Sequence, residues 1–157
     1  MSYVLDDADL RLLRAVQHDA SAPQADLAEI AGVSPSQVSR RLARLRETGV
    51  LRAIVGLVEP NLAGLSCAAF VRVRLRDHAA ESVRIFRAAV AAMPEATLCV
   101  ALTGEADYLL KVVSRDLPHF QQVVHASLLN CAAIAHLESS IVLEYIKDTT
   151  ELPLPPN

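Results

Sequence analysis

Apolar residues recur at helical spacing through the N-terminal third of the chain and at alternate positions through much of the remainder, the period changing just after Gly49. Leu10, Leu13 and Val16 form a stripe on a first helix predicted over 6–19, with Asp6 or Asp7 as cap and acids in the first turn. Ser21-Ala22-Pro23 breaks it. A short second helix over 24–31 carries Leu27, Ala28, Ile30 and Ala31, and Gly32 supplies a left-handed stop. Small Ala28 lets the next helix approach closely. Ser34-Pro35-Ser36-Gln37 then reads as a helix start: Ser34 caps the Gln37 amide, Gln37 reaches back, and Pro35 takes the first helical position. Val38, Leu42 and Leu45 share one face of this third helix, Ser36, Gln37, Arg40, Ala43 and Arg44 stand opposite, and Gly49 ends it.

Residues 50–58 are a β-branched run interrupted by Pro60, Asn61 and Gly64. From Ala69 to Arg76 the alternation is strict, with Ala69, Val71, Val73 and Leu75 on one side and Phe70, Arg72, Arg74 and Arg76 on the other. A helix over 79–93 places Val83, Phe86 and Val90 inward. Strands over 96–103 and 107–114 flank a turn at Gly104–Ala106; a helix over 117–130 and a long strand over 134–146 follow. This is a βαβ unit stated twice, the ferredoxin-like βαββαβ plan with an antiparallel sheet and both helices on one face. The fold class is therefore α+β. A helix-turn-helix domain (winged-helix-like) spans 1–50, a linking strand and loop 51–64, the βαββαβ domain 65–150 and an extended proline-rich tail 151–157. The uncovered sheet face carries Phe70 and the apolar positions of the last strand, and a second copy of the chain is the simplest cover for it.

Composition narrows the function. Of 157 residues 52% are apolar and only 4% aromatic, so the cores are aliphatic. No apolar run approaches the roughly 20 residues that span a bilayer, and the acidic N-terminus lacks the basic start of a signal peptide. A cytoplasmic location without membrane contact is expected. The net charge is −3, yet residues 35–52 hold five arginines and one glutamate, against six acids and two bases in residues 1–34. Such a basic island suits DNA with weak non-specific affinity, and equally suits a solvated helix face. Cys67, Cys99 and Cys131 form no CxxC pair and are expected as buried free thiols. His119 and His125 fall on different helix faces and no HExxH occurs, so no metal or other cofactor is expected. With no GxSxG, P-loop or paired catalytic carboxylates, catalysis is not expected either.

Two stretches carry candidate chemistry. In the third helix, Ser36, Gln37 and Arg40 are placed to read base edges of double-stranded DNA, glutamine suiting adenine and arginine guanine. Ser39, Arg41 and Arg44 are placed for phosphates. For Arg41, close to the apolar stripe, a structural ion pair to an acid of the first helix is the equal alternative. Arg46 and Arg52 read as solvated or flanking. In Thr103-Gly104-Glu105-Ala106-Asp107-Tyr108, a glycine turn lets backbone amides approach a carboxylate and Asp107 can accept from an α-ammonium. An ordinary hairpin turn, with Gly104 at positive φ and Asp107 as turn acceptor, is the competing reading.

LDDADLRLL, LAEIAGVSPSQVSRRLARLRETGVL and LTGEADYLLKV together resemble the opening motif, helix-turn-helix signature and GxxDY motif of the Lrp/AsnC (feast/famine) regulators. The resemblance covers nearly the whole chain. It implies a transcriptional regulator of amino-acid metabolism whose C-terminal half forms homodimers, assembling further to tetramers or octamers, and binds a free amino acid between subunits. On that resemblance the effector contacts are Thr103, Gly104, Glu105, Ala106, Asp107 and Tyr108, with hydroxyls of Ser139 and Ser140 added from the last strand. Ala106 departs from the larger residue the family often carries there, which implies a wider pocket or altered ligand choice. A ligand-binding or assembly module of the same fold, without effector-dependent DNA binding, is the alternative.

Overall fold

A computed structural model describes residues 4–155. Residues 1–3, the start of the N-terminus read above as lacking a signal, and Pro156 and Asn157 of the tail lie outside the described residues. The chain divides into two units: residues up to Leu57 together with the tail from Lys147, and Val58–Ile146.

The first unit contains α1 (Asp7–His18), α2 (Gln24–Ala31) and α3 (Pro35–Glu47). Asp6 caps α1, accepting from the Asp9 amide at 2.8 Å while Asp9 accepts from the Asp6 amide at 3.3 Å. Leu12, Val16, Leu27, Ala28, Ala31 and Val38 form the core, with Leu42 packed against it. Gly32 ends α2 at φ 67°, as its position predicts. The Arg11 guanidinium donates twice to the Ala31 carbonyl, at 3.1 and 2.8 Å, satisfying a group that a helix end otherwise leaves without a partner. The tail has no regular structure but is held to α1. The Leu152 amide donates to Gln17 Oε1 at 2.8 Å, and Arg14 donates to the Pro155 carbonyl.

The run over 50–58, expected to supply the linking strand of 51–64, forms no strand, and residues 52–59 are neither helix nor strand. β-Branched side chains favour extended backbone, but a strand requires a partner edge, and this run has none among the described residues. Ile54, Val55, Leu57 and Val58 are left exposed.

In the second unit the order is β1 (Cys67–Leu75), α4 (Ala80–Ala91), β2 (Ala96–Ala101), β3 (Tyr108–Ser114), α5 (Leu117–Val124), a π-helical turn (His125–Leu129) and β4 (Ile134–Ile141). The sheet order is β2-β3-β1-β4 and every pairing is antiparallel. Ala69, Val71, Val73 and Leu75 of β1 face Phe86 of α4 and Phe120 and Val124 of α5 across one core. The last strand stops at Ile141 and not at 146, and the helix expected over 117–130 closes as a π turn.

The last strand also turns the opposite way from the expectation. Register sets His136, Glu138 and Ser140 beside outward-facing Arg74, Arg72 and Phe70, while Leu137 packs on the core side. A strand shifted by one position exchanges its faces. The uncovered face consequently carries charged Arg72, Arg74 and Glu138 with His136 on β1 and β4, and apolar Leu98, Val100 and Leu109 on β2 and β3. All three cysteines are free, but only Cys67 is buried, and Cys99 is exposed.

Candidate DNA-binding face and ligand cavity

The start of α3 is built as the sequence predicts. Ser34 Oγ accepts from the Gln37 amide at 3.4 Å, and Gln37 Oε1 accepts from the Ser34 amide at 3.0 Å. This reciprocal cap fixes the helix start and occupies one end of a proposed base reader. Gln37 keeps its amide donors for a ligand, whereas bidentate pairing with adenine needs its oxygen too. Ser36 Oγ lies 3.1 Å from Ser34 Oγ, and Ser39 Oγ donates to Gln24 Oε1 at 3.0 Å. Val38 and Leu45 are fully buried on the opposite side, which aims the polar face outward. Arg40 is exposed on that face and makes no hydrogen bond or ion pair among the described residues.

Arg41 is placed differently. Its Nη1 donates to Asp6 Oδ2 and to Asp9 Oδ1, each at 2.7 Å, and Asp9 is completely buried. The two carboxylates push the Arg41 guanidinium above its ordinary range, Asp6 contributing most. Burial pushes the Asp6 carboxyl up, but the Asp9 amide and the Arg41 guanidinium outweigh it and hold Asp6 below its usual range. Arg44 Nη2 reaches Asp9 Oδ2 at 3.4 Å. A buried carboxylate without such partners would be strongly destabilising. The structural ion pair is thus present for Arg41, and the acids of α1 fix the position of the basic helix.

In the second unit, the segment 102–107 closes the β2–β3 hairpin. Leu102 N donates to the Asp107 carbonyl at 2.8 Å, and Asp107 N donates to the Val73 carbonyl at 2.9 Å. Asp107 Oδ2 accepts from the Leu75 amide at 2.7 Å, so this carboxylate ties the loop to the end of β1. Gly104 sits at φ 117° with open space where a Cβ would lie, so backbone conformation and not crowding demands glycine. Tyr108 packs against Phe86 on the core side of the sheet, the ring centroids 4.4 Å apart and the planes tilted by 37°.

The loop bounds a cavity of about 540 Å³ with the charged β1–β4 part of the uncovered face. Thr103, Glu105 and Ala106 line it, as do Arg72, Arg74, His136 and Glu138. Gly104, Asp107 and Tyr108 support the loop without lining the cavity. Ser139 and Ser140 stand on opposite sheet faces, beside Val71 and Phe70, and neither lines it. The four residues from β1 and β4 are absent from the sequence-based set. Strict alternation had already turned Arg72 and Arg74 outward, but their meeting with the loop depends on tertiary register. No group of His, Cys, Asp and Glu able to hold a metal occurs among the described residues, and no described helix is long and apolar enough to cross a membrane.

Residues 5–46 match the AsnC-type helix-turn-helix domain, and residues 68–152 match the Lrp/AsnC ligand binding domain. The chain is 30% identical to the transcriptional regulator AzlB of Bacillus subtilis over 98% of each chain. It is 31% identical to the DNA-binding transcriptional activator DecR of Escherichia coli, covering 96% of this chain and 99% of that one. A transcriptional regulator from Neisseria meningitidis, solved as an L-Met complex, shares 37% identity with a TM-score of 0.90 over 96% of this chain and 97% of its own.

Proposed function

The chain belongs to the Lrp/AsnC family of transcriptional regulators, and from that premise we propose that it reads double-stranded DNA through the α3 face around Arg40, as a homodimer controlled by a free amino acid. It is a regulator and not an enzyme, as its relatives are. The carrying observation is Arg40: exposed, without a partner among the described residues, and opposite the buried Val38–Leu45 side. Ser36 and the free amide donors of Gln37 complete the base-reading set. Ser39 and Arg44 lie beside it for phosphates. Arg41, engaged by Asp6 and Asp9, holds the helix in place and meets phosphate only at its edge.

Two heads are needed because one is weak. A chain of net charge −3 gains little non-specific affinity, and pairing two heads on adjacent half-sites makes the second contact intramolecular. Exposed Leu98 and Val100 supply apolar surface for a second copy, and dimers assemble further to tetramers or octamers. The effector site is the cavity at Thr103, Glu105 and Ala106, and the relative solved with L-Met supports an amino acid as its ligand. The targets are genes of amino-acid metabolism, in the cytoplasm.

Arg40→Ala tests the DNA assignment in a gel shift on the protein's own upstream region. Loss of one base contact, worth roughly 1–3 kcal/mol, weakens binding about ten- to hundredfold and relaxes sequence preference, with oligomeric state unchanged. An unchanged footprint and affinity would overturn the assignment. If the unmodified protein retards no upstream DNA, with or without amino acids, the ligand-binding or assembly module stands instead.

A further inference from the structure

The cavity's polar groups are unevenly committed. The side chains of Arg74, Glu105, Thr103 and His136 have no hydrogen-bond or ion-pair partner among the described residues, whereas Arg72 Nη1 contacts Glu138 Oε1 at 3.4 Å. A free amino acid presents a carboxylate and an ammonium, and unpartnered Arg74 and Glu105 complement those two groups. This assignment leaves the Arg72–Glu138 pair, with His136 beside it, to meet the side chain.

An ion pair with a long 3.4 Å contact offers a donor and an acceptor side by side. A primary carboxamide presents the matching acceptor and donor on one planar group. An aliphatic side chain would strip water from the pair and return no hydrogen bond. A carboxylate side chain would face Glu138. Arg72, Arg74, Glu105 and Glu138 balance in charge, which suits a zwitterion with a neutral polar side chain. Arg72 and Arg74 stand two positions apart on one strand face, about 6.4–6.8 Å along the backbone, so the longer carboxamide bridges them better.

We propose that this cavity selects an amino acid whose side chain ends in a carboxamide, glutamine ahead of asparagine, with Arg72 and Glu138 as its specificity-determining residues. The inference rests on the effector reading above and names the ligand for that site.

Titration calorimetry of the full chain with glutamine, asparagine, glutamate, leucine and methionine tests it. Glutamine is expected to bind at least tenfold tighter than glutamate, leucine or methionine. Arg72→Met is expected to bring glutamine within about threefold of methionine, and Arg74→Met to abolish binding of all five, both variants keeping the circular dichroism of the parent. Tightest binding of leucine, methionine or glutamate overturns the carboxamide assignment and leaves an amino-acid effector in place. Absence of heat from any amino acid overturns both. Retention of the glutamine preference by Arg72→Met overturns the role of Arg72.

Discussion

The basic face of α3 and the cavity beside the β2–β3 loop were each marked by a short polar stretch, and the structure sorts their residues in the same way by different means. On α3, Arg41 and the oxygen of Gln37 are occupied by the protein itself, leaving Arg40 outward. In the loop, Asp107 is occupied by the Leu75 amide, leaving Glu105 in the cavity. In both places the polar groups best buried or best fixed hold the fold together. The residues left for a ligand are neighbours held in position by them. The difference is range. The α3 face is complete within one helix, whereas the cavity needs β1 and β4, brought together by register over more than sixty positions, as the Arg72–Glu138 contact spans.

Removing the buried acid under α3 is the severest way to test that sorting. Asp9→Ala leaves Arg41 with only the half-exposed Asp6 and deletes half of the α1 cap. Breaking such a pair costs about 3–5 kcal/mol. Urea unfolding followed by helical circular dichroism is expected to begin at clearly lower denaturant, while Arg40→Ala shifts it by no more than about 0.5 kcal/mol. An unmoved Asp9→Ala midpoint would make Arg41 a surface pair and return it to the phosphate-contacting set. Next in size is Asp107→Ala. Loss of a carboxylate acceptor from the Leu75 amide costs about 1.5–3 kcal/mol in the second unit, while amino-acid binding persists at reduced affinity. If binding vanished with stability intact, Asp107 would be the ammonium acceptor that its sequence motif suggests, and the parallel with Arg41 would fail.

Local features of the fold were legible because their causes are local. The Ser34–Gln37 cap, the Gly32 stop and the Val38–Leu45 stripe follow from spacing within a few residues, and so does the two-sided alternation of β1. What was not legible depends on partners distant in sequence. The 52–59 run has strand composition without an edge to pair with, and the faces of β4 follow from its register on β1. Ser139 and Ser140 illustrate the cost for the site: adjacent in sequence, they were assigned together, yet adjacent strand residues point to opposite faces. Thr103, Glu105 and Ala106 share the cavity because their loop is contiguous. Arg72, Arg74, His136 and Glu138 needed the sheet.

The smallest expected effect is a pH dependence confined to the first unit. Asp6 titrates below its ordinary range in the folded chain: its own burial opposes this, and the Asp9 amide and Arg41 together outweigh the burial. A carboxyl with a lower folded than unfolded value binds its proton more tightly when unfolded. Its contribution is therefore fully present above the unfolded value, about 3.9, and is lost as pH falls through the lowered folded value. Thermal melting of the parent between pH 5 and pH 3 is expected to steepen relative to Asp6→Asn, which lacks the titrating group. The difference will be modest, because Asp6 is half exposed and solvent screens its pairing. The cavity supplies the control, since Arg74→Met should leave this slope unchanged. Identical slopes in the parent and Asp6→Asn would mean that Asp9 alone anchors Arg41, and the cradle under α3 would reduce to a single buried pair.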